Sequence, residues 1–343
     1  MAPAIIAVVK ANAYGHGARR VAATLEAAGA IRLAVADIEE GVDLRKSGIT
    51  APILIFGALS VSDLDGVFDF NLTPTISSPA AGQALQEGAA KRGATLHYHL
   101  KIDTGMNRLG FRHDNLARTL PALFASKNLA LDAVHTHFGS ADEPGNKLFE
   151  LQRTRFETAC QALDELGAGP RLRHAANSAG LLRDSRVWFD FVRPGLLLYG
   201  LVPPPLASTI PLKPVMSLTS QVVAVKGIRV GETVGYGGRF TAERPVTLAV
   251  IPAGYADGLD RRLENHGHVL IRGRRARIVG AVSMDMLTVD VTDIDAVGPG
   301  DEVVFLGSQG DESIDAREMA DWIDTIPYEI LCRLGSRVER KYD

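Results

Sequence analysis

The sequence predicts an α/β chain, a (β/α)8 TIM-like barrel over residues 1–205 followed by a mostly antiparallel β domain over residues 206–343. Three observations carry this expectation. A length of 343 residues exceeds one ordinary domain of ~100–200 residues, while α/β barrels reach ~250, so two domains fit. The first two thirds alternates short apolar runs with amphipathic helical patterns, the signature of parallel strand-helix units. Past Leu201, the stiff Val202-Pro203-Pro204-Pro205 segment marks a boundary, and beyond it apolar runs are separated by glycine, proline and aspartate turns rather than helices.

Taken in order, the barrel strands are the runs Ile5 to Lys10, Arg32 to Asp37, Pro52 to Gly57, Leu72 to Ile76, Leu96 to Asp103, Leu131 to Phe138, Leu172 to Asn177 and Phe191 to Gly200. Between them Gly17 to Ala30, Pro79 to Lys91 and Asn146 to Gly167 have the leucine and alanine spacing and the charged faces of amphipathic helices. Strand-helix units in this number close into a barrel. In the second domain Val215 to Val225, Val246 to Ile251, His268 to Ile271, Ala276 to Val282, Met286 to Val291 and Glu302 to Phe305 read as strands, with one short helix over Ile314 to Ile323.

Composition narrows the function classes. Hydrophobic residues at 46% and charged residues at 22% describe a soluble globular chain. A net charge of -3, with no basic stripe, excludes nucleic acid as a natural partner. Cys160 and Cys332 form no Cys-x-x-Cys pair, which fits a reducing, cytoplasmic setting. The opening Ala4 to Val9 lacks a basic flank and runs into Lys10, so it reads as a strand and not as a signal peptide, and no apolar run is long enough to span a membrane.

Barrel enzymes carry their reactive groups at the C-terminal ends of strands. Here those positions are Lys10, Asp37, Lys101, Asp103, His135, His137, Asn177, Ser178 and, opening the eighth run, Arg193. Lys10 follows a continuous apolar strand and precedes Ala-Asn-Ala-Tyr-Gly-His-Gly, so it is partly desolvated, which favours the neutral amine that attacks an aldehyde. A lysine that merely snorkels from a strand end has the same position. The loops after the seventh and eighth runs, Ala176 to Gly180 and Arg193-Pro194-Gly195, suit a phosphate, although an ordinary helix cap and turn look alike. His135 and His137 alternate as two metal ligands do, but no third ligand accompanies them, so no metal is expected. Tyr236 within Gly-Tyr-Gly-Gly also fits a turn aromatic, and Arg272, Arg274, Arg275 and Arg277 fit a solvated strand or turn.

The stretch Val8-Val9-Lys10-Ala11-Asn12-Ala13-Tyr14-Gly15-His16-Gly17 resembles the cofactor-lysine signature of alanine racemases, a family of fold-type III pyridoxal-phosphate enzymes. Further matches run through the chain: Lys101 to Gly110, His137-Phe138, Val234 to Gly237, Gly254 to Gly258, Ser283-Met284-Asp285 and Ile326 to Glu329. The resemblance implies pyridoxal 5'-phosphate held by Lys10 as a Schiff base, with Tyr14, Ser178, Gly195 and Tyr328 at the phosphate and Asn177 beside them. It implies Arg193 facing the pyridine nitrogen, which makes the ring a weaker electron sink than a carboxylate partner would. Racemisation needs two acid/base groups on opposite faces of the α-carbon. The resemblance assigns Lys10 and Tyr236, the latter reaching the barrel of a second subunit in a homodimer, with His137 bridging Tyr236 to Arg193. Arg108 matches the residue that pairs with the substrate carboxylate or the cofactor's phenolic oxygen, Lys101 a lysine that in some members is carboxylated and orients that arginine, and Tyr255, Met284 and Asp285 the substrate pocket that favours alanine.

Two departures stand out. Family members carry a few tens of residues before the lysine strand, whereas Lys10 is the tenth residue here, so the expectation is either that the recorded start lies downstream of the real one or that the chain has been shortened. Asn107 stands where glycine is common. The competing readings are a serine, lysine or broad-specificity racemase, a decarboxylase of the same architecture, and a non-catalytic cofactor carrier, against which the second domain and Tyr236 speak. The expected biological role is D-alanine supply for a bacterial cell wall, with D-alanine catabolism equally compatible.

Overall fold

The computed structural model describes residues 2–57, 59 and 64–343, which group into two compact units. One holds the residues up to Ala13 together with Gly17–Lys213; the other holds Pro214–Asp343 together with Tyr14–His16.

In the first unit the strands are β1 (Ala4–Val8), β2 (Arg32–Val35), β3 (Ile53–Ile55), β4 (Thr73–Ile76), β5 (Leu96–Asp103), the short β6 (Phe111–Arg112), β7 (Leu129–His135), β8 (Leu172–Asn177) and β9 (Phe191–Arg193). Parallel pairing runs β4-β3-β2-β1-β9-β8-β7-β5, and β4 pairs with β5 to close the ring. Ile6, Ala7, Val8 and Val9 are buried, as expected where a strand is covered on both faces. The helices between strands have local causes. Ser78 accepts from Ala81 N and Pro79 fills the first turn of helix Pro79–Lys91. Asp37 accepts from Glu40 N at 2.9 Å and so caps helix Ile38–Lys46, with Glu39 and Glu40 in its first turn and Arg45 and Lys46 in its last, matching the helix dipole. Helix Leu148–Glu165 buries Phe149, Gln152, Phe156, Ala159, Cys160 and Leu163, one stripe at helical spacing.

The second unit is built on an antiparallel sheet in the order β10-β18-β15-β16-β17-β14-β11, where β10 is Leu218–Gln221, β11 Ala224–Ile228, β14 Val246–Ile251, β15 His268–Ile271, β16 Arg274–Ile278, β17 Leu287–Asp290 and β18 Glu302–Gln309. A small ribbon pairs β12 (Thr233–Val234) with β13 (Phe240–Thr241), and β19 (Glu312–Ile314) pairs with β18. Asp315 then caps helix Ala316–Trp322 by accepting from Arg317 N and Glu318 N.

Several boundaries differ from the sequence reading. Val215 to Val225 is not one strand: β10 pairs with β18 and β11 with β14, so the chain changes partner in the middle of an apolar run. The eighth run is a strand only to Arg193, and Leu196–Tyr199 forms a 3-10 turn ending at Gly200 with φ of 80°. Ile326 to Glu329 opens a second C-terminal helix, Pro327–Cys332, too short to show periodicity. Arg272, in the turn between β15 and β16, pairs with Asp301, and Arg275 in β16 pairs with Glu312 and Glu318, as a solvated turn and strand face do.

Candidate active site

Lys10 does not end β1 but opens a left-handed turn. Ala11, Asn12, Ala13 and Tyr14 all have φ of 53° to 54°. Left-handed backbone costs about 1–2 kcal/mol for each residue with a side chain, and runs of it persist only where surroundings impose it. Here Glu40 bridges two strand ends: its Oε1 accepts from Ala11 N at 2.6 Å and its Oε2 from Ala36 N at 2.8 Å. Asn12 Oδ1 accepts from Ala18 N at 2.8 Å, closing the loop onto the next helix. Tyr199 donates to Val8 O at 2.9 Å from beneath β1. Neither Glu40 nor Tyr199 is legible as a site residue from sequence, because neither lies in a loop that reads as reactive.

The barrel brings Lys10, Lys101, Arg108, His137 and Arg193 into one electrostatic neighbourhood. His137 is held well below the ordinary histidine value by burial first, then by Arg193, Lys101, Arg108 and Lys10. Lys101 is likewise pushed down by burial and by Arg193 and Arg108, with Asp103 opposing. With His137 and Lys101 pushed toward their neutral forms, the guanidiniums of Arg193 and Arg108 carry the positive charge, a seat for an anionic ligand. Arg193 is buried, and its Nη2 donates to Thr136 O at 2.8 Å and Ala175 O at 2.9 Å and lies 3.5 Å from His137 Nδ1. Burial lowers Arg193 to about 9, so it is still charged at neutral pH. His137 is itself fixed by Gln152, whose amide donates to His137 O at 3.0 Å while its Oε1 accepts from Gly139 N at 2.9 Å.

The two loops expected to hold phosphate meet. Asn177 caps helix Ser178–Arg183 by accepting from Gly180 N at 2.8 Å. Ser178 Oγ accepts from Gly195 N at 2.9 Å and Leu197 N at 3.4 Å, tying the loop after β8 to the loop after β9. Arg108 is exposed beside Asn107, whose φ of 54° explains why asparagine is tolerated at a position suited to glycine. Asp103 Oδ1 accepts from Gly105 N and Asn107 N and so shapes the Arg108 loop, at an open cleft that Ser77 and Ser78 also line.

The second unit holds the remaining predicted residues. The Tyr14 and Tyr328 rings lie 5.8 Å apart, and burial, followed by Tyr328 and Cys332, raises the Tyr14 hydroxyl above its ordinary value. Tyr236 is 78% exposed in the left-handed turn between Gly235 and Gly237. Tyr255 N donates to Ser283 O at 3.0 Å and Ala256 N to Met284 O at 3.1 Å, so the two pocket loops are stitched together with Tyr255 and Met284 outward. Asp285 pairs with Arg337, which also grips Asp257.

Sequence reasoning missed His99 and His174. Lys101 pairs in register with His135, and His135 with His174, so β5, β7 and β8 place a row of basic groups across the barrel. The alternation His97-Tyr98-His99-Leu100-Lys101 is the signal that could have found His99.

Comparison with known proteins identifies the family. Residues 1–203 match the family model for the alanine racemase N-terminal domain, and residues 215–342 that for its C-terminal domain. The chain is 45% identical to an alanine racemase of Carboxydothermus hydrogenoformans, covering 98% of this chain and 91% of that protein. It is 44% identical to one of Symbiobacterium thermophilum, with 99% and 91% covered. Among solved structures, the alanine racemase of a D-cycloserine-producing Streptomyces lavendulae superposes with a TM-score of 0.93 at 34% identity, covering 98% of this chain and 89% of that one. The Bacillus anthracis alanine racemase, solved with bound L-Ala-P, gives 0.90 at 36% identity, with 98% and 87% covered. The chain belongs to the alanine racemase family, isomerases that interconvert L-alanine and D-alanine.

Proposed function

We propose that the racemisation uses pyridoxal 5'-phosphate on Lys10, with Lys10 and Tyr236 as the two acid/base groups. The observation that carries the reading is the buried Arg193 guanidinium 3.5 Å from His137, with Arg108 and Lys10 in the same electrostatic neighbourhood. It fits a doubly anionic cofactor and a carboxylate substrate, and the Ser178–Gly195 junction offers a hydroxyl and backbone amides for the phosphate, with Asn177 setting the helix start and Tyr14 and Tyr328 as further phosphate contacts. Bound there, the cofactor would supply an aldehyde for the amino group of alanine and a ring able to take up electron density from the α-carbon.

The chain's own residues do the rest. Lys10 removes or returns the proton on one face, and Tyr236 of a second copy does so on the other, which makes a homodimer with shared sites part of the proposal. Arg193, a pure donor, would meet the ring nitrogen without protonating it fully, which restrains side reactions of the carbanion. His137, kept neutral by burial first and then by its cationic neighbours, is free to accept a hydrogen bond and relay to Tyr236. Arg108 orients the substrate carboxylate, and Lys101, driven toward its neutral amine, has the form that carbon dioxide carboxylates. Tyr255, Met284 and Asp285 restrict the substrate to a small side chain. We place the enzyme in the cytoplasm, supplying D-alanine for the cell wall; among the described residues no helix is long and apolar enough to cross a membrane.

The test is D-alanine formation from L-alanine with added pyridoxal phosphate, in the unaltered chain, Lys10→Ala and Tyr236→Phe. Conversion in the unaltered chain, its loss in Lys10→Ala together with the bound-cofactor absorbance, and a strong reduction in Tyr236→Phe are expected. Retained racemisation in Lys10→Ala refutes the assignment, and unchanged rates in Tyr236→Phe refute the second base.

A further inference from the structure

The barrel interior holds a file of four side chains of which the reaction uses only the last. Arg32 Nη1, at the start of β2, lies 2.9 Å from His99 Nε2; His99 Nδ1 lies 2.9 Å from His174 Nε2; His174 Nδ1 lies 2.8 Å from Arg193 Nη1. His99, His174 and Arg193 are buried, and Arg32 is half-buried. Each gap is one hydrogen bond long and therefore holds one proton. A guanidinium has only donors, whereas a neutral imidazole has one donor and one acceptor.

Counting protons exposes a conflict. With Arg32 donating at one end, His99 Nε2 is bare and its proton sits on Nδ1. With Arg193 donating at the other, His174 Nδ1 is bare and its proton sits on Nε2. Both imidazole protons then point into the single 2.9 Å gap between the rings. The file holds one proton too many. Charging either ring would worsen the excess, and burial first, with Arg32, Arg193 and the neighbouring imidazoles, holds both His99 and His174 well below the ordinary histidine value. His135 offers no escape, for its ring stacks on His174 with centroids 4.6 Å apart and planes 6° from parallel.

We propose that Arg32 and His99 are positioning residues for Arg193, because the two guanidiniums compete, through the shared tautomers of His99 and His174, for one acceptor. In one state the protons run inward from Arg32, His174 carries its proton on Nδ1, and Arg193 Nη1 is turned away. In the other they run outward from Arg193, His174 carries its proton on Nε2, and Arg32 is the one repelled toward solvent. A change at half-buried Arg32 is thus transmitted to Arg193 across two rings, by a two-state element that both ends bias. The proposal concerns the chain's own protons and stands apart from what Arg193 faces during catalysis.

The test reads the ring nitrogens directly, by nitrogen-15 resonance of the full chain as purified, labelled at histidine and assigned by single replacements at neutral pH. Bare and protonated ring nitrogens resonate far apart. In the unaltered chain the His174 signals are expected between the two limits, since both tautomers are populated. Arg32→Gln supplies an amide oxygen that accepts from His99 Nε2, so His174 moves to the limit with bare Nδ1. His99→Gln accepts from Arg32 and donates to His174 Nε2, which moves His174 to the opposite limit. Arg32→Lys remains a pure donor and keeps the intermediate signals; with Arg32→Gln it carries the test should His99→Gln fail to fold. Limiting signals already present in the unaltered chain, or the same His174 signals in Arg32→Gln as in Arg32→Lys, overturn the proposal.

Discussion

Gly15→Ala probes how tightly the loop after Lys10 is built. Gly15 has φ of +82°, and a Cβ there falls 2.2 Å from the Leu331 carbonyl oxygen and 3.1 Å from its carbon. Those are backbone atoms of helix Pro327–Cys332, which carries Tyr328, so no side chain can swing aside. Gly231 is the natural control: it lies in the same unit with φ of +81°, and a Cβ there would have nothing within 4 Å. Both substitutions incur the left-handed cost of about 1–2 kcal/mol, offset by roughly 0.4–1 kcal/mol of reduced unfolded-state freedom. Only Gly15 adds a collision that must shift backbone, for a further ~1–3 kcal/mol. We therefore expect Gly231→Ala to cost about 0–1.6 kcal/mol and Gly15→Ala about 1–4.6 kcal/mol, the difference being the collision of ~1–3 kcal/mol. Denaturant unfolding of both variants beside the unaltered chain measures the difference. Losses that agree within about 0.5 kcal/mol would refute the reasoning, because the close approach of Gly15 to Leu331 would then be energetically empty.

Two further outcomes follow from the same kind of accounting. Ser178→Ala strips the acceptor from Gly195 N and Leu197 N, and leaving such buried donors unpaired costs about 1–3 kcal/mol; a melt and a pyridoxal-phosphate titration should show lower stability and weaker binding, and no change in either would count against the junction. Asp260 is held well below the carboxylate range by the Arg262 side chain first, then the Arg262 amide and Arg333. A lowered folded pKa means that its stabilisation is present above the ordinary carboxylate pKa and lost as pH falls through the folded value. Asp260→Asn should therefore weaken the chain at neutral pH and flatten its acid dependence below the carboxylate range, followed by circular dichroism; an acid transition as steep as that of the unaltered chain would contradict this.

Local pattern carried much of the architecture. Val246–Ile251 and His268–Ile271 are strands with the bounds that their apolar runs suggest, and helix Pro79–Lys91 begins where Ser78 and Pro79 signal a cap and a first turn. Where pattern misled, long-range partners decided. Val215 to Val225 splits because β18 and β14 claim its two halves. Ala11 to Tyr14 adopt a conformation that their side chains disfavour, imposed in part by Glu40 from 29 residues away. Likewise, the candidate groups Lys10, Lys101, His137 and Arg193, which the barrel brings into one neighbourhood, stand at or near the ends of apolar runs and so were nominated from sequence, while Gln152 and Glu40, which bond to the backbone around them, looked like ordinary helix polar residues.

The sequence by itself determined the succession of barrel strands, the candidate polar side chains near their ends and, through the lysine signature, the family. Only the tertiary structure decided which of those groups share protons. Arg32, His99, His174 and Arg193 are separated by 67, 75 and 19 residues at successive contacts, and hydrogen bonds are set by distances of about 3 Å between side chains rather than by spacing along the chain. Apolar periodicity is a local property and can be read one segment at a time. A proton's position depends on every donor and acceptor that faces it, and those neighbours exist only once the barrel has closed.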